Sequence, residues 1–230
     1  LSEGADLIDI GAYSSRPGAE HITEETEHDR MIPVLKTIVR EFPEAILSID
    51  TFRSGIAKAA IEEGAAIIND ISAGALDPQM FQTIADLGVP YIMMHMKGTP
   101  QNMSYHTDYQ DITTEVCRYF SVKIQELKDL GVKDLVVDPG FGFSKTLEQN
   151  YELLRNLEHL RSSGHPVLAA LSRKSMIYKL LETDAEHALN GTTAANTIAL
   201  IKGANILRVH DVKAALEAVK IVNQINIIRY

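Results

Sequence analysis

Seven short apolar runs, spaced by amphipathic stretches, constrain this chain more than any other feature. They are "DLIDIG", "ILSID", "AAIIND", "PYIMMHM", "DLVVD", "PVLAALS" and "NILRVH". Most are rich in Ile, Val and Leu, and they do not alternate with polar residues. Continuous runs of this length suit strands buried on both faces, as in a parallel sheet. Between them lie helical patterns such as "EETEHDRMIPVLKTIVREF", "RSGIAKAAIEEG", "YQDITTEVCRYFSVKIQELKDLG" and "LEQNYELLRNLEHLRSSG". Gly64, Gly88, Gly131, Gly164 and Gly203 stand where helices give way to strands, the usual place for a residue that accepts a left-handed backbone. Pro33, inside the first pattern, predicts a kink or a late helix start.

Strand, helix, strand at this spacing means βαβ units. No low-complexity tract or Pro/Gly/Ser linker divides the chain, so residues 1–230 are expected to form a single α/β domain. A (β/α)₈ TIM barrel is the expected architecture at this size. An open doubly wound sheet is the alternative. A barrel needs eight strands, and seven runs are present. The opening "LSEGAD" reads as the tail of a helix, so the barrel's first β-strand and its loop are expected ahead of Leu1.

The net charge of −9 argues against a nucleic-acid partner, which would need a basic surface. The one cysteine, Cys117, excludes an internal disulfide and a Cys-based zinc site. It lies in a helical pattern and reads as a buried or inert thiol. No apolar run approaches the ~18 residues of a membrane span, and no signal peptide is visible. The expected setting is a reducing cytoplasm, with no membrane partner.

Each apolar run ends in polar residues: Asp9, Asp50, Asn69, His95, Asp138, Ser172-Arg173-Lys174 and Arg208-Val209-His210. In a barrel, all these ends surround one mouth, where barrel active sites form. A lone Asp after a strand has a bland explanation, since turns and helix N-caps favour it. Seven polar ends of mixed charge point instead to a site. Asp50, Asn69 and Asp138 offer acceptors for a flat ligand edge that carries several N–H groups. Lys174, Arg173, Arg208, His210 and Arg16 offer positive charge for an anionic part of the ligand. For Arg173, a salt bridge beneath the mouth is an equal alternative. His95 reads as a ligand contact or an orienting group. Met93, Met94 and Met96 read as packing, with one of them a candidate wall for an aromatic ligand.

The fifth run leads into "VVDPGFGFSKT". Ser144 stands where a Walker-type loop needs glycine, and Lys145 where a dinucleotide fingerprint needs its third, so both phosphate loops fail on spacing. What remains is a strand ending in a carboxylate, then a turn that glycine permits. No Ser-His-Asp or Cys-His nucleophile arrangement and no metal-ligand spacing is present. The pattern suits positioning of two reactants rather than covalent attack.

"IDIGAYSSRPGAEH", "LSIDTFR", "AAIINDISAG", "YIMMHMKGTPQNM", "LVVDPGFGFSKT", "LSRKSMI" and "ILRVHDV" together resemble the successive motifs of the dihydropteroate synthase family, in order and over nearly the whole chain. The resemblance implies a transferase of folate biosynthesis and a sulfonamide target. Its small-molecule substrates are 6-hydroxymethyl-7,8-dihydropterin pyrophosphate and 4-aminobenzoate. It implies pterin binding by Asp50, Asn69, Ile71, Asp138 and Lys174. It implies an aminobenzoate pocket of Ser15, Arg16, Pro17, Phe143, Lys174 and Ser175. Arg208 and His210 match the pyrophosphate site, and Lys174, Arg208 and His210 are the implied catalytic residues. The family's cofactor is Mg²⁺, with its protein ligand expected ahead of Leu1 and none in this chain, and its usual assembly is a homodimer. Ser144 replaces a usual glycine, and Ala170 replaces a frequent one. A pterin-binding methyltransferase domain and a catalytically inactive pterin-binding barrel are the alternatives.

Overall fold

The computed structural model describes residues 1–16 and 20–227. Its elements alternate as the apolar runs predict. Strands β1 (Ile8–Gly11), β2 (Leu47–Asp50), β3 (Ile67–Asp70), β4 (Tyr91–Met94) and β5 (Leu135–Asp138) form one parallel sheet in sequence order. Two-residue strands β6 (Leu168–Ala169) and β7 (Ile206–Leu207) pair parallel, and a Val137–Val167 bridge joins them to β5. A doubly wound sheet would reverse its strand order partway. Here the order never reverses, and the chain winds one way as in a barrel. Among the described residues, β7 and β1 share no backbone ladder.

The helices cover the outer face: α1 (Glu24–Glu41), α2 (Ser54–Glu62), α3 (Met80–Leu87), α4 (Ile112–Asp129), α5 (Leu147–Arg155), α6 (Ser175–Leu180), α7 (Leu189–Ile201) and α8 (Val212–Ile227). Thr23 caps α1 by accepting from the Thr26 N–H, and the helix runs unbroken through Pro33. The late start expected from Pro33 is therefore wrong. The carbonyl that Pro33 leaves without a donor belongs to Asp29, which is exposed and open to water. Gly88 ends α3 with φ +64°, a left-handed cap that glycine adopts without Cβ strain.

Two apolar layers explain why the strands read as continuous runs. Leu47, Ile49, Ile68, Tyr91, Met93, Leu135, Val137, Val167 and Ala169 face outward into the core beneath the helices. Alternate residues face the barrel interior, where Ile92, Leu168 and Ala170 pack with Ile67, Val136 and Ile206. Register extends this inward set. Asp9 lies opposite Ser48, Asp50 opposite Asn69, Asn69 opposite Ile92, and Met94 opposite Asp138. The interior is thus apolar at its floor and polar at its mouth.

One buried ion pair steadies the mouth. Glu27 of α1 accepts from the Thr51 hydroxyl at 2.7 Å and pairs with Arg53, and Arg53 also donates to the Ile22 carbonyl. Arg53 lies directly after β2, which carries Asp50, and Glu27 reaches it from α1. Removing one partner leaves a buried charge uncompensated. Glu27→Ala should therefore cost about 3–5 kcal/mol of stability. A urea melt tests this; a loss under about 1 kcal/mol, the scale of a surface pair, would contradict it.

Candidate active site

The strand period separates the polar strand ends into two groups. Outward-facing Asp70 and His95 are structural. Asp70 accepts from Ser72, Gly74 and the Tyr91 hydroxyl and is fully buried. His95 is 2% exposed, stacks edge-on to Tyr119 and lies 3.1 Å from the Lys145 ammonium. Burial, aided by the Lys145 and Lys97 charges, pushes its imidazole down to about 2. It is neutral at physiological pH and lines a surface pocket with Lys97, Arg118 and Tyr119 on the outer side of β4, away from the barrel mouth, which leaves it an orienting group rather than a contact of a ligand in the mouth. The inward group is Asp9, Asp50, Asn69, Asp138, Ser172, Arg208 and His210.

Asp138 closes the opening of its own turn. Its Oδ1 accepts from the Gly140 N–H at 2.8 Å. A Cβ on Gly140 would sit 2.1 Å from the His95 carbonyl oxygen, and the residue has φ +70°. Only glycine fits there, so the apolar run breaks where it does. Burial raises the Asp138 carboxyl above its ordinary range, and the nearby Lys174 charge opposes that rise. Asn69 is also buried, 3.3–3.4 Å from the Asp9 carboxylate. Asp50 is pushed up to about 7, by burial first and by the Asp9 charge second, while Arg208 pulls the other way.

Lys174 approaches the same space from the β6 end. Its ammonium donates to the Phe141 carbonyl and lies 5.0 Å from the Phe143 ring centroid. Burial lowers it to about 8, the Arg208 charge adds to that, and Asp138 and Asp50 oppose. Phe143 belongs to an apolar wall with Phe52, Ile71, Met94, Met96 and Met103. Met94 and Met96 are thus the methionines that wall the mouth, whereas Met93 faces the outer core. Ser175 opens α6 directly after Lys174. Ser15 is half-buried and Arg16 exposed in the loop after β1; Pro17 lies outside the described residues.

The anion side combines Arg208 and His210. Arg208 forms ion pairs with Asp9 and Asp50, the latter at 2.8 Å. The ring Nδ1 of His210 lies 3.1 Å from the Ser172 hydroxyl. Arg173 takes the structural alternative. It pairs side-on with Asp211 at 2.8 and 2.9 Å and donates to the Ala185 and Glu186 carbonyls, tying the β6 exit to the β7 exit.

One residue escaped the sequence reading, and a second was named there without its role. Lys145, set aside once the phosphate-loop spacing failed, is buried, with its ammonium on the carbonyls of Gly140 and Phe143. It braces the turn that presents Asp138. Asp9 was one strand end among seven, and its 199-residue separation from Arg208 left no local signal. Of the two departures, Ser144 has φ +46° and its hydroxyl accepts from the Lys97 N–H at 2.9 Å. Ala170 places its methyl in the interior floor.

Residues 1–210 match the model of the pterin binding enzyme family. The dihydropteroate synthase of Escherichia coli K12 is 40% identical over 224 residues, spanning 96% of this chain and 79% of that protein. The Yersinia pestis dihydropteroate synthase, solved with a sulfonamide drug complex, superposes with a TM-score of 0.93 at 39% identity, over 98% of this chain and 82% of that one. The Xanthomonas albilineans enzyme, solved with 4-aminobenzoic acid, gives 0.91 at 39% identity, over 98% and 81%. These relatives are synthases rather than methyltransferases. The chain belongs to the dihydropteroate synthase family of pterin-binding enzymes.

Proposed function

We propose that the protein joins 4-aminobenzoate to 6-hydroxymethyl-7,8-dihydropterin pyrophosphate, giving 7,8-dihydropteroate and pyrophosphate in folate biosynthesis. The observation that carries this reading is the convergence, on one inward face, of the acceptors Asp50, Asn69 and Asp138 with the cations Lys174 and Arg208 and with His210. The amino-pyrimidine edge of the pterin donates to Asp138 and Asn69, with Asp50 beside them. Its ring lies along Ile71 and Met94. The aminobenzoate sits against Phe143, with Lys174, Ser175, Ser15, Arg16 and Pro17 around it; sulfonamides take the same place.

In the reaction, the bond between the pterin methylene carbon and the pyrophosphate oxygen breaks. The electron pair leaves with pyrophosphate, whose growing charge is met by Arg208 and His210. The aniline nitrogen then forms the new C–N bond with its lone pair and loses a proton to solvent. The side chains bind, orient and stabilise charge; none becomes covalently attached. Mg²⁺ is the cofactor the family implies. Among the described residues no three His, Cys, Asp or Glu side chains cluster, and both carboxylates nearest the anion side already accept from Arg208. The described residues do not fit a protein-held Mg²⁺.

A homodimer is part of the proposal. Ile198 and Ile201 of α7 and Ile221 of α8 are 45–61% exposed on two helices that pack together. They offer an apolar face suited to a second copy. The single cysteine supports a reducing, cytoplasmic setting. Among the described residues no helix is long and apolar enough to cross a membrane.

The Lys174 ammonium tests the reading. It is lost as pH rises through about 8, so capture of the aminobenzoate carboxylate should weaken across that range. Lys174→Ala should remove this alkaline limb and weaken 4-aminobenzoate by roughly tenfold or more, the scale of one charge-assisted hydrogen bond. Calorimetry at pH 6.5 and 9 on both proteins is the measurement. An alkaline limb that survives in Lys174→Ala would count against the assignment.

A further inference from the structure

Asp9 stands where the two halves of the site meet. It is the inward residue of β1 opposite Ser48, whose hydroxyl donates to its Oδ1 at 2.7 Å. The Asn69 amide lies 3.3–3.4 Å from both its oxygens. Its Oδ2 accepts from Arg208 Nε, while Arg208 Nη2 donates to Asp50 at 2.8 Å. The Asp9 and Asp50 side chains are 16% and 17% exposed, against 43% for Arg208. The two carboxylates therefore hold the guanidinium from below and leave its other side at the mouth. The link joins the ends of the strand series, β1 and β7, which share no backbone ladder among the described residues.

Resting on the pterin and pyrophosphate reading above, we propose that Asp9 is a positioning residue. It sets Arg208 for the anion and steadies Asn69 for the pterin, coupling the two halves of the site. Without Asp9, Arg208 keeps only Asp50 as a partner. It then leans toward the pterin side and away from the place where the pyrophosphate sits. The Ser48 hydroxyl and the Asn69 amide lose their common acceptor at the same time.

The charged groups facing Asp50 give this proposal a readout that needs no ligand. They are Asp9 from β1, Arg208 from the β7 exit, Asp70 from β3, Glu27 from α1 and Lys174 from the β6 exit. Asp9, Asp70 and Glu27 raise the Asp50 carboxyl, and Arg208 lowers it. Removing the Asp9 charge must move the Asp50 titration down, and removing the Arg208 charge must move it up.

The experiment is a double-mutant cycle on the full chain with Asp9→Asn and Arg208→Ala. Affinity is measured for 6-hydroxymethyl-7,8-dihydropterin pyrophosphate, and the Asp50 carboxyl carbon is titrated by NMR in the unliganded proteins. Asp9→Asn should weaken the ligand roughly tenfold in the parent but less than about twofold in the Arg208→Ala background, the non-additivity of residues acting through one another. The Asp50 midpoint should fall by roughly half a unit or more in Asp9→Asn, as loss of a neighbouring like charge requires. Additive losses, or an unmoved midpoint, would overturn the proposal. If the parent binds no pterin yet the midpoint moves, the functional reading falls and the Asp9 coupling stands. Should Asp9→Asn not fold, Arg208→Ala reads the same network from an exposed side chain: the Asp50 midpoint should rise, and a static one overturns the coupling.

Discussion

Asp138→Ala is expected to lower pterin affinity by roughly two to four orders of magnitude. The estimate takes two hydrogen bonds to a charged acceptor at about 1.5–3 kcal/mol each. The substitution also removes the acceptor for the Gly140 N–H, so the turn carrying Phe143 loses its anchor. Lys145 still holds the Gly140 and Phe143 carbonyls, and the circular dichroism spectrum should stay that of the parent. Asp138→Asn keeps an acceptor for Gly140 but not the charge, and should lose much less. Calorimetry with 6-hydroxymethyl-7,8-dihydropterin separates the three proteins. If Asp138→Ala binds as tightly as the parent, the pterin does not sit on this strand end.

Arg208→Ala should split the two pterins. The bare hydroxymethyl compound uses the acceptors on β2, β3 and β5, which remain in place. The pyrophosphorylated compound loses a charge-assisted contact, which corresponds to roughly 10- to 150-fold in affinity. A second effect acts on both pterins alike. Without its ion pair to Arg208, the Asp50 carboxyl rises further from about 7 and holds its proton more readily, so it accepts less well from the amino-pyrimidine edge. The ratio of the two affinities is therefore the sensitive quantity. Equal losses for both ligands would assign Arg208 to structure rather than to the anion.

Much of this site could be read before any coordinates. Parallel strands are buried on both faces, so each appears as an unbroken apolar run, and the residue that ends the run is at the mouth. Asp50, Asn69 and Asp138 were legible for that reason. The same feature hid which ends matter. An unbroken apolar run carries no period, so inward Asp138 and outward His95 look alike until register separates them. The short strands β6 and β7, with two paired residues each, show how little backbone pairing an apolar run needs to hold its place.

What the sequence left unread depends on contacts across the fold. The Asp9–Arg208 link closes between residues 199 apart, and no local pattern encodes it. Arg173 looked as suitable for an anion as Arg208. Its partner Asp211 lies in the next loop, and only the folded chain shows the fork taken at both nitrogens. Lys145 failed a phosphate-loop pattern and so appeared idle. Its role is to satisfy inward-turned carbonyls, a demand that arises once the Gly140 and Gly142 turns are made. Pro33 marked a break because its missing donor was assumed to matter. Pro33 and Asp29 are both exposed, so the carbonyl left without a donor does not fall in the core.

On the proposed function, the inward strand ends hold a pterin and an anion together, so that an aniline nitrogen can displace pyrophosphate. The most direct measurement supplies the protein with 6-hydroxymethyl-7,8-dihydropterin pyrophosphate and 4-aminobenzoate, then quantifies dihydropteroate by chromatography and pyrophosphate by a coupled assay in the same samples. The two products should appear one for one, at a rate reduced by Asp138→Ala and by Arg208→Ala. Pyrophosphate released without dihydropteroate, or product formation indifferent to both substitutions, would contradict the proposed function.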